Sequence, residues 1–186
     1  MSTPDVGNII QVPGRLSHSP TSLSTAYPHG GTAIGLVGRI DLRPAAAAVL
    51  VTAEEFGGVV SDAVYGGEDW ILRVTLREVL DADALAAVFP IYVAGAAGGA
   101  ILRADANSSV RAGSYLGDLA KVILFTPDNA DQHPWLIVRR GVPAIDEAAS
   151  IPLRANEEAA IRLAWHCTPD SAGKQFEFGR RRDITL

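Results

Sequence analysis

The clearest order along this chain is a strict alternation of apolar and polar positions. In DWILRVTLREV (69–79), Trp70, Leu72, Val74 and Leu76 share one side, and Ile71, Arg73, Thr75 and Arg77 share the other. IRLAWHCTP (161–169) repeats the pattern, with Ile161, Leu163, Trp165 and Cys167 against Arg162, Ala164, His166 and Thr168. Successive side chains of a strand point to opposite faces, so each run predicts a strand with one apolar face and one wetter face. Trp70, Leu72, Val74, Leu76, Leu163 and Trp165 are the core positions this reading expects. KVILFTPD (121–128) and PWLIVRRG (134–141) predict two more strands, split by Pro127, Asp128, Asn129 and Pro134, and SIPLRAN (150–156) predicts a shorter one. Ile34, Leu36, Ile40 and Leu42 follow the same period of two.

Helix signals are few. DADALAAVFP (81–90) has Asp81 as a cap, Leu85, Val88 and Phe89 on one face, and Pro90 as its limit. TAEEFG (52–57) offers a Thr52/Glu55 capping box with Gly57 as a stop. The fold class expected is mainly β, a sandwich or barrel with one or two short flanking α-helices. Residues 1–33, rich in Ser, Pro, Gly and Thr without a period, predict an extended N-terminal arm. Residues 34–179 form the β domain, 95–113 a Gly/Ala/Ser-rich loop or long hairpin within it, and 180–186 a basic tail.

Gly30, Gly31, Gly35 and Gly38 stand close together, but their spacing is not G-x-G-x-x-G and no lysine follows. Phosphate loops need a strand before the glycines and a helix after them; here a strand follows. Gly35 and Gly38 inside that strand predict a bulge or a close backbone approach.

With 186 residues the chain has the size of one domain. Its formal net charge is 16 − 21 = −5, against the basic surplus of a dedicated nucleic-acid binder. One cysteine, Cys167, leaves no intrachain disulfide and no cysteine cluster for a metal; its place in an alternating run predicts a buried thiol. No signal peptide and no apolar run of about 18 residues is evident, so no membrane span is expected. Serine-hydrolase chemistry would need G-x-S-x-G, and GSYLG (113–117) has its serine one place early. His18, His29, His133 and His166 lack zinc spacing. The acidic pairs Glu54/Glu55, Glu68/Asp69, Asp81/Asp83 and Glu157/Glu158 lie at turns or helix starts, where solvation and capping account for them. No catalytic residue, cofactor or metal is expected. Arg180, Arg181 and Arg182 form the one basic cluster, a candidate contact between subunits or rings.

The stretch 51–90, with the acidic Glu54/Glu55 turn, Asp62 before Gly66-Gly67, a long amphipathic strand and a helix closed by Phe89-Pro90, resembles tail tube proteins of tailed bacteriophages. So does 133–179, with His133-Pro134, Val142-Pro143 and the D-x-x-G turn at Asp170 and Gly173. The likeness spans about 32–179 and departs from the family in the Ala/Gly-rich 94–113 and the arginine tail. It implies a non-enzymatic virion protein in the phage tail. Six copies would form a ring, and stacked rings a tube through which DNA passes without specific binding. Its partners would be itself and neighbouring tail proteins: tape measure, terminator, baseplate initiator and, in contractile tails, sheath. A tube-initiating or neck ring is the close variant. The alternative from another class is a monomeric β-sandwich that binds a small ligand or carbohydrate, which predicts an apolar pocket.

Overall fold

The computed structural model describes residues 13–53, 59–77, 92–94, 102–104, 114–144 and 161–186, with side chains described outside 45–53, 59–66, 92–94 and 102–104. The described strands are β1 (Gly14–His18), β2 (Thr32–Ala53), β3 (Val59–Leu76), β4 (Tyr92–Ala94), β5 (Leu102–Ala104), β6 (Lys121–Pro127), β7 (Trp135–Pro143), β8 (Ile161–Cys167) and β9 (Phe176–Gly179). Six of them pair antiparallel in the order β6-β1-β2-β3-β8-β7, and β7 pairs back to β6, so the sheet closes into a barrel. Strand β9 continues the same edge of β7 that β8 leaves: β8 pairs with Gly141, Val142 and Pro143, and β9 with Trp135, Leu136, Ile137 and Val138. Among the described residues β4 and β5 pair with each other, Tyr92–Ala94 against Leu102–Ala104, and the rest of 95–113 lies outside the described residues.

The barrel interior is built by the alternation. Leu72, Val74 and Leu76 from β3 and Leu163, Trp165 and Cys167 from β8 meet Leu136, Val138, Ile123, Phe125 and Leu16 in one buried cluster. Trp70 differs from the expectation. It is only partly buried, because β8 pairs with β3 no further than Ile71 and the tryptophan ring lies at the barrel's open end against Phe176, 4.8 Å between centroids.

Strand β2 corrects a second expectation. Ile34, Ile40 and Leu42 face the interior, but Val37 does so in place of Leu36. Two bulges cause this. The register against β1 slips beside Gly35, whose φ of 151° suits glycine, and the register against β3 slips at Gly38. Each slip turns the alternation over once, so the second restores what the first reversed.

The N-terminal arm is corrected over its second half. GRLSH is strand β1, hydrogen-bonded to β2 on one side and β6 on the other. It carries a single inward aliphatic residue, Leu16, too little for a period to register. The short helix expected at 52–57 is corrected at its start: Thr52 and Ala53 belong to β2 and pair with Val60 and Val59. The helix expected at 81–90 and the strand at 150–156 lie outside the described residues. Helical structure among the described residues is limited to two 3₁₀ turns, Leu116–Leu119 and Arg181–Asp183. The D-x-x-G turn is present. Asp170 Oδ1 accepts from the backbone N–H groups of Ala172 (2.8 Å) and Lys174 (2.9 Å), and Gly173 takes φ 79°. Those N–H groups hold the Asp170 carboxyl below its ordinary value.

Candidate functional site

The outer face of β6 and β7 carries an apolar surface. Leu124, Trp135 and Ile137 point away from the interior and would be exposed on a bare barrel. The chain covers them itself, with Leu23 from the 19–31 turn, Ala130 and, from the C-terminus, Ile184. The arginine cluster is divided by this packing. The Arg181 guanidinium lies over the Trp135 ring, 5.8 Å from its centroid, and donates to the Leu23 carbonyl at 2.8 Å. Arg182 Nε lies 3.7 Å from the Asp183 carboxylate. All three arginines are exposed and border one depression beside Asp131. Arg181 also acts as a clamp within the subunit.

The turn that supplies Leu23 is fastened by His29. Its Nδ1 meets the Thr25 carbonyl at 2.8 Å, its Nε2 meets Thr126 Oγ1 at 3.0 Å, and its ring packs 5.2 Å from that of Trp135. A carbonyl only accepts, so Nδ1 carries the proton and Nε2 accepts from the threonine hydroxyl. Burial lowers the His29 pKa, with Arg181 adding to that and the Thr25 bond opposing it. The lowered pKa favours the neutral ring. Tyr27 OH donates to the Leu16 carbonyl at 2.8 Å and secures the same turn to β1.

A second surface is open. Strand β1 stops at Gly14 opposite Val37, and beyond that point β2 pairs only with β3 among the described residues. The gap leaves a groove of about 550 Å³, lined by Ile40, Leu42, Trp70, Phe125, Phe176 and Phe178. Phe178 is 55% exposed on its rim. Sequence reasoning missed this groove: Phe176 and Phe178 sit in a short strand with too few positions to show alternation.

No protein-family model matches the chain, and no curated protein matches it in sequence.

Little of the titratable chemistry converges. Among the described residues no group of three His, Cys, Asp or Glu side chains could hold a metal ion. Cys167 is buried, which pushes its thiol up to about 12, far from the thiolate a nucleophile needs. His166 Nδ1 pairs with Asp69 at 2.8 Å on the outer side of β8 and β3. His18 is buried, and burial followed by the charge of Lys121 lowers its pKa. Glu177 is raised by burial, but bonds from Lys174 and from Arg139 outweigh this and hold it low.

Proposed function

We propose that the protein is a structural component of a phage tail, whose copies, six to a ring, stack into the tube that conducts DNA. The observation that carries the reading is the shape of β2 and β3. They run on together past the barrel, 45–53 against 59–69, with no further strand beside them among the described residues. At about 3.4 Å per residue this ribbon is roughly 30 Å long. Two strands alone are marginal in water, and their free edges invite pairing with another chain. A neighbour in a ring or in the next ring would stabilise the ribbon, which a lone barrel does not need. The tail-tube-like stretch 51–90 includes this ribbon's outer half. The acidic total also suits a conduit, since a basic wall would retain DNA by counterion release.

Negative-stain imaging with light scattering on the purified full chain tests the reading. Six-fold rings or stacked tubes are the expected outcome. Compact monomers at every concentration and salt would overturn it. One observation favours the second reading, a monomeric binding module: the apolar groove between β2 and β9. On that reading an apolar or aromatic ligand raises the melting temperature of a monomer and quenches Trp70.

A further inference from the structure

The barrel treats its outer faces differently. On β6 and β7 the chain covers its own apolar residues, as described above. On β2, β3 and β8 the outward positions are mixed, with Ile71 and Ala164 buried against Ala144 and His166 paired with Asp69, and arginines gather at one end. Arg39 and Arg43 project from β2, Arg73 from β3 and Arg162 from β8, bordering one shallow depression. Register brings them together: Asp41 lies opposite Arg73, Arg39 opposite Thr75, and Thr75 opposite Arg162. Asp41 is the one carboxylate among the residues that line the depression. It meets Arg43 at 2.6 Å and Arg39 at 3.3 Å, and the Arg43 bond leads the effects that hold its carboxyl below the ordinary value. The Arg39 and Arg43 side chains remain 69% and 57% exposed, and Arg162 is exposed as well.

This face opposes the charge of the rest of the chain. The four arginines and Asp41 leave 16 − 4 = 12 lysines and arginines against 21 − 1 = 20 acids, a remainder of −8. We infer that the Arg39/Arg43/Arg73/Arg162 face docks onto an acidic surface of a second copy of this chain, in a head-to-tail contact. Two such faces repel each other, which rules out a symmetric contact built on this face. The net acidic remainder of the next copy attracts it. Planar guanidinium groups suit carboxylates, which they grip through paired N–H donors. A contact between different surfaces propagates, and it yields a ring where the rotation closes or a filament where it does not. The inference rests on the self-assembly reading and adds which surface makes the lateral contact and why it is asymmetric.

The test is sedimentation velocity on the full chain at low and high salt, with the double variant Arg39→Glu/Arg162→Glu. Both side chains are exposed, so circular dichroism should match the parent, and melting should fall only slightly as Arg39 gives up its exposed bond to Asp41. Parent assembly should weaken as salt rises, because exposed charges are screened beyond ~10 Å at 0.1 M. The variant should need at least about tenfold more protein to assemble, since like charges then face each other. Mixed with the parent, the variant should cap growing assemblies, because its acidic remainder still attracts a parent arginine face. If the parent forms rings and the variant forms them equally well, the inference falls and the ring reading stands. If salt-sensitive open oligomers vanish in the variant but no ring is ever seen, the inference stands and the ring reading falls. A parent that is monomeric throughout removes both. Duplex DNA that binds the parent and not the variant, with assembly unchanged, makes nucleic acid the partner and overturns the inference.

Discussion

Trp165 and Trp70 lie on the same face of neighbouring strands yet differ in energetic weight. Trp165 is 1% exposed inside the barrel, and Trp165→Ala should cost about 3–5 kcal/mol, the range for large core aromatics. Trp70→Ala should cost clearly less, since its ring lines an open groove; denaturant unfolding of the two variants gives the comparison. Among the arginines, Arg181→Ala should lower stability by about 0.5–1 kcal/mol through loss of its stack on Trp135, measured by thermal unfolding. Arg180→Ala and Arg182→Ala should stay within about 0.5 kcal/mol of the parent. Removing all three therefore loosens the subunit as well as its surface, and only the Arg180/Arg182 pair isolates a contact between subunits. His29 and His18 set a pH dependence. Both have folded pKa values lowered from 6.5, so the unfolded chain binds more protons. Their contribution is complete above 6.5 and is lost as pH falls through the lower folded values. Melting temperature should drop between pH 7 and 5, and His29→Gln should flatten that slope.

At the scale of elements, β2 and β3 carry two roles in one hairpin. Their inner halves, near 32–44 and 69–76, are barrel staves, and their outer halves form the ribbon. Replacing 47–67 by an Asn-Gly turn, a two-residue connection suited to antiparallel strands, removes the ribbon and keeps the pairs from Ala46 and Glu68 inward. The shortened protein should retain the melting behaviour of the barrel and lose ring formation in negative-stain images. Normal rings from it would show that the barrel surface, the arginine face included, suffices for assembly. The 19–31 turn and the C-terminus form another unit, since Leu23, Trp135, Ile184 and Arg181 join three distant parts of the chain. That unit makes 14–33 and 180–186 parts of the barrel, where the sequence reads them as arm and tail.

Among the described residues the barrel shows unlike surfaces. One outer face is covered by its own chain, one carries arginines, and the seam between β2 and β9 exposes an aromatic groove. A closed barrel hides the strand edges that hold it together, whereas the ribbon and the seam have edges with no partner strand among the described residues. The arginine face and the aromatic groove adjoin along β2, where Arg39 borders both. Salt should act on the first and leave the second nearly untouched.

Local alternation determined more of this protein than any motif did. The period of two in 69–79 and 161–169 was enough to place Leu72, Val74, Leu76, Leu163 and Trp165 inside, because a strand's faces follow from backbone geometry alone. The Asp170 and Gly173 turn was legible for the same reason, since its bonds close within five residues. Tertiary structure decided what depends on distant partners. Strand β1 exists because two other strands bond its edges, which five residues with one aliphatic side chain do not reveal. Leu36 and Val37 exchange faces because two bulges depend on what lies opposite them. Arg181 was visible as charge, but its clamp needs Leu23 and Trp135, brought near only by closure of the barrel. Arg39, Arg43, Arg73 and Arg162 are scattered over more than a hundred positions in the chain and form one surface only through strand register.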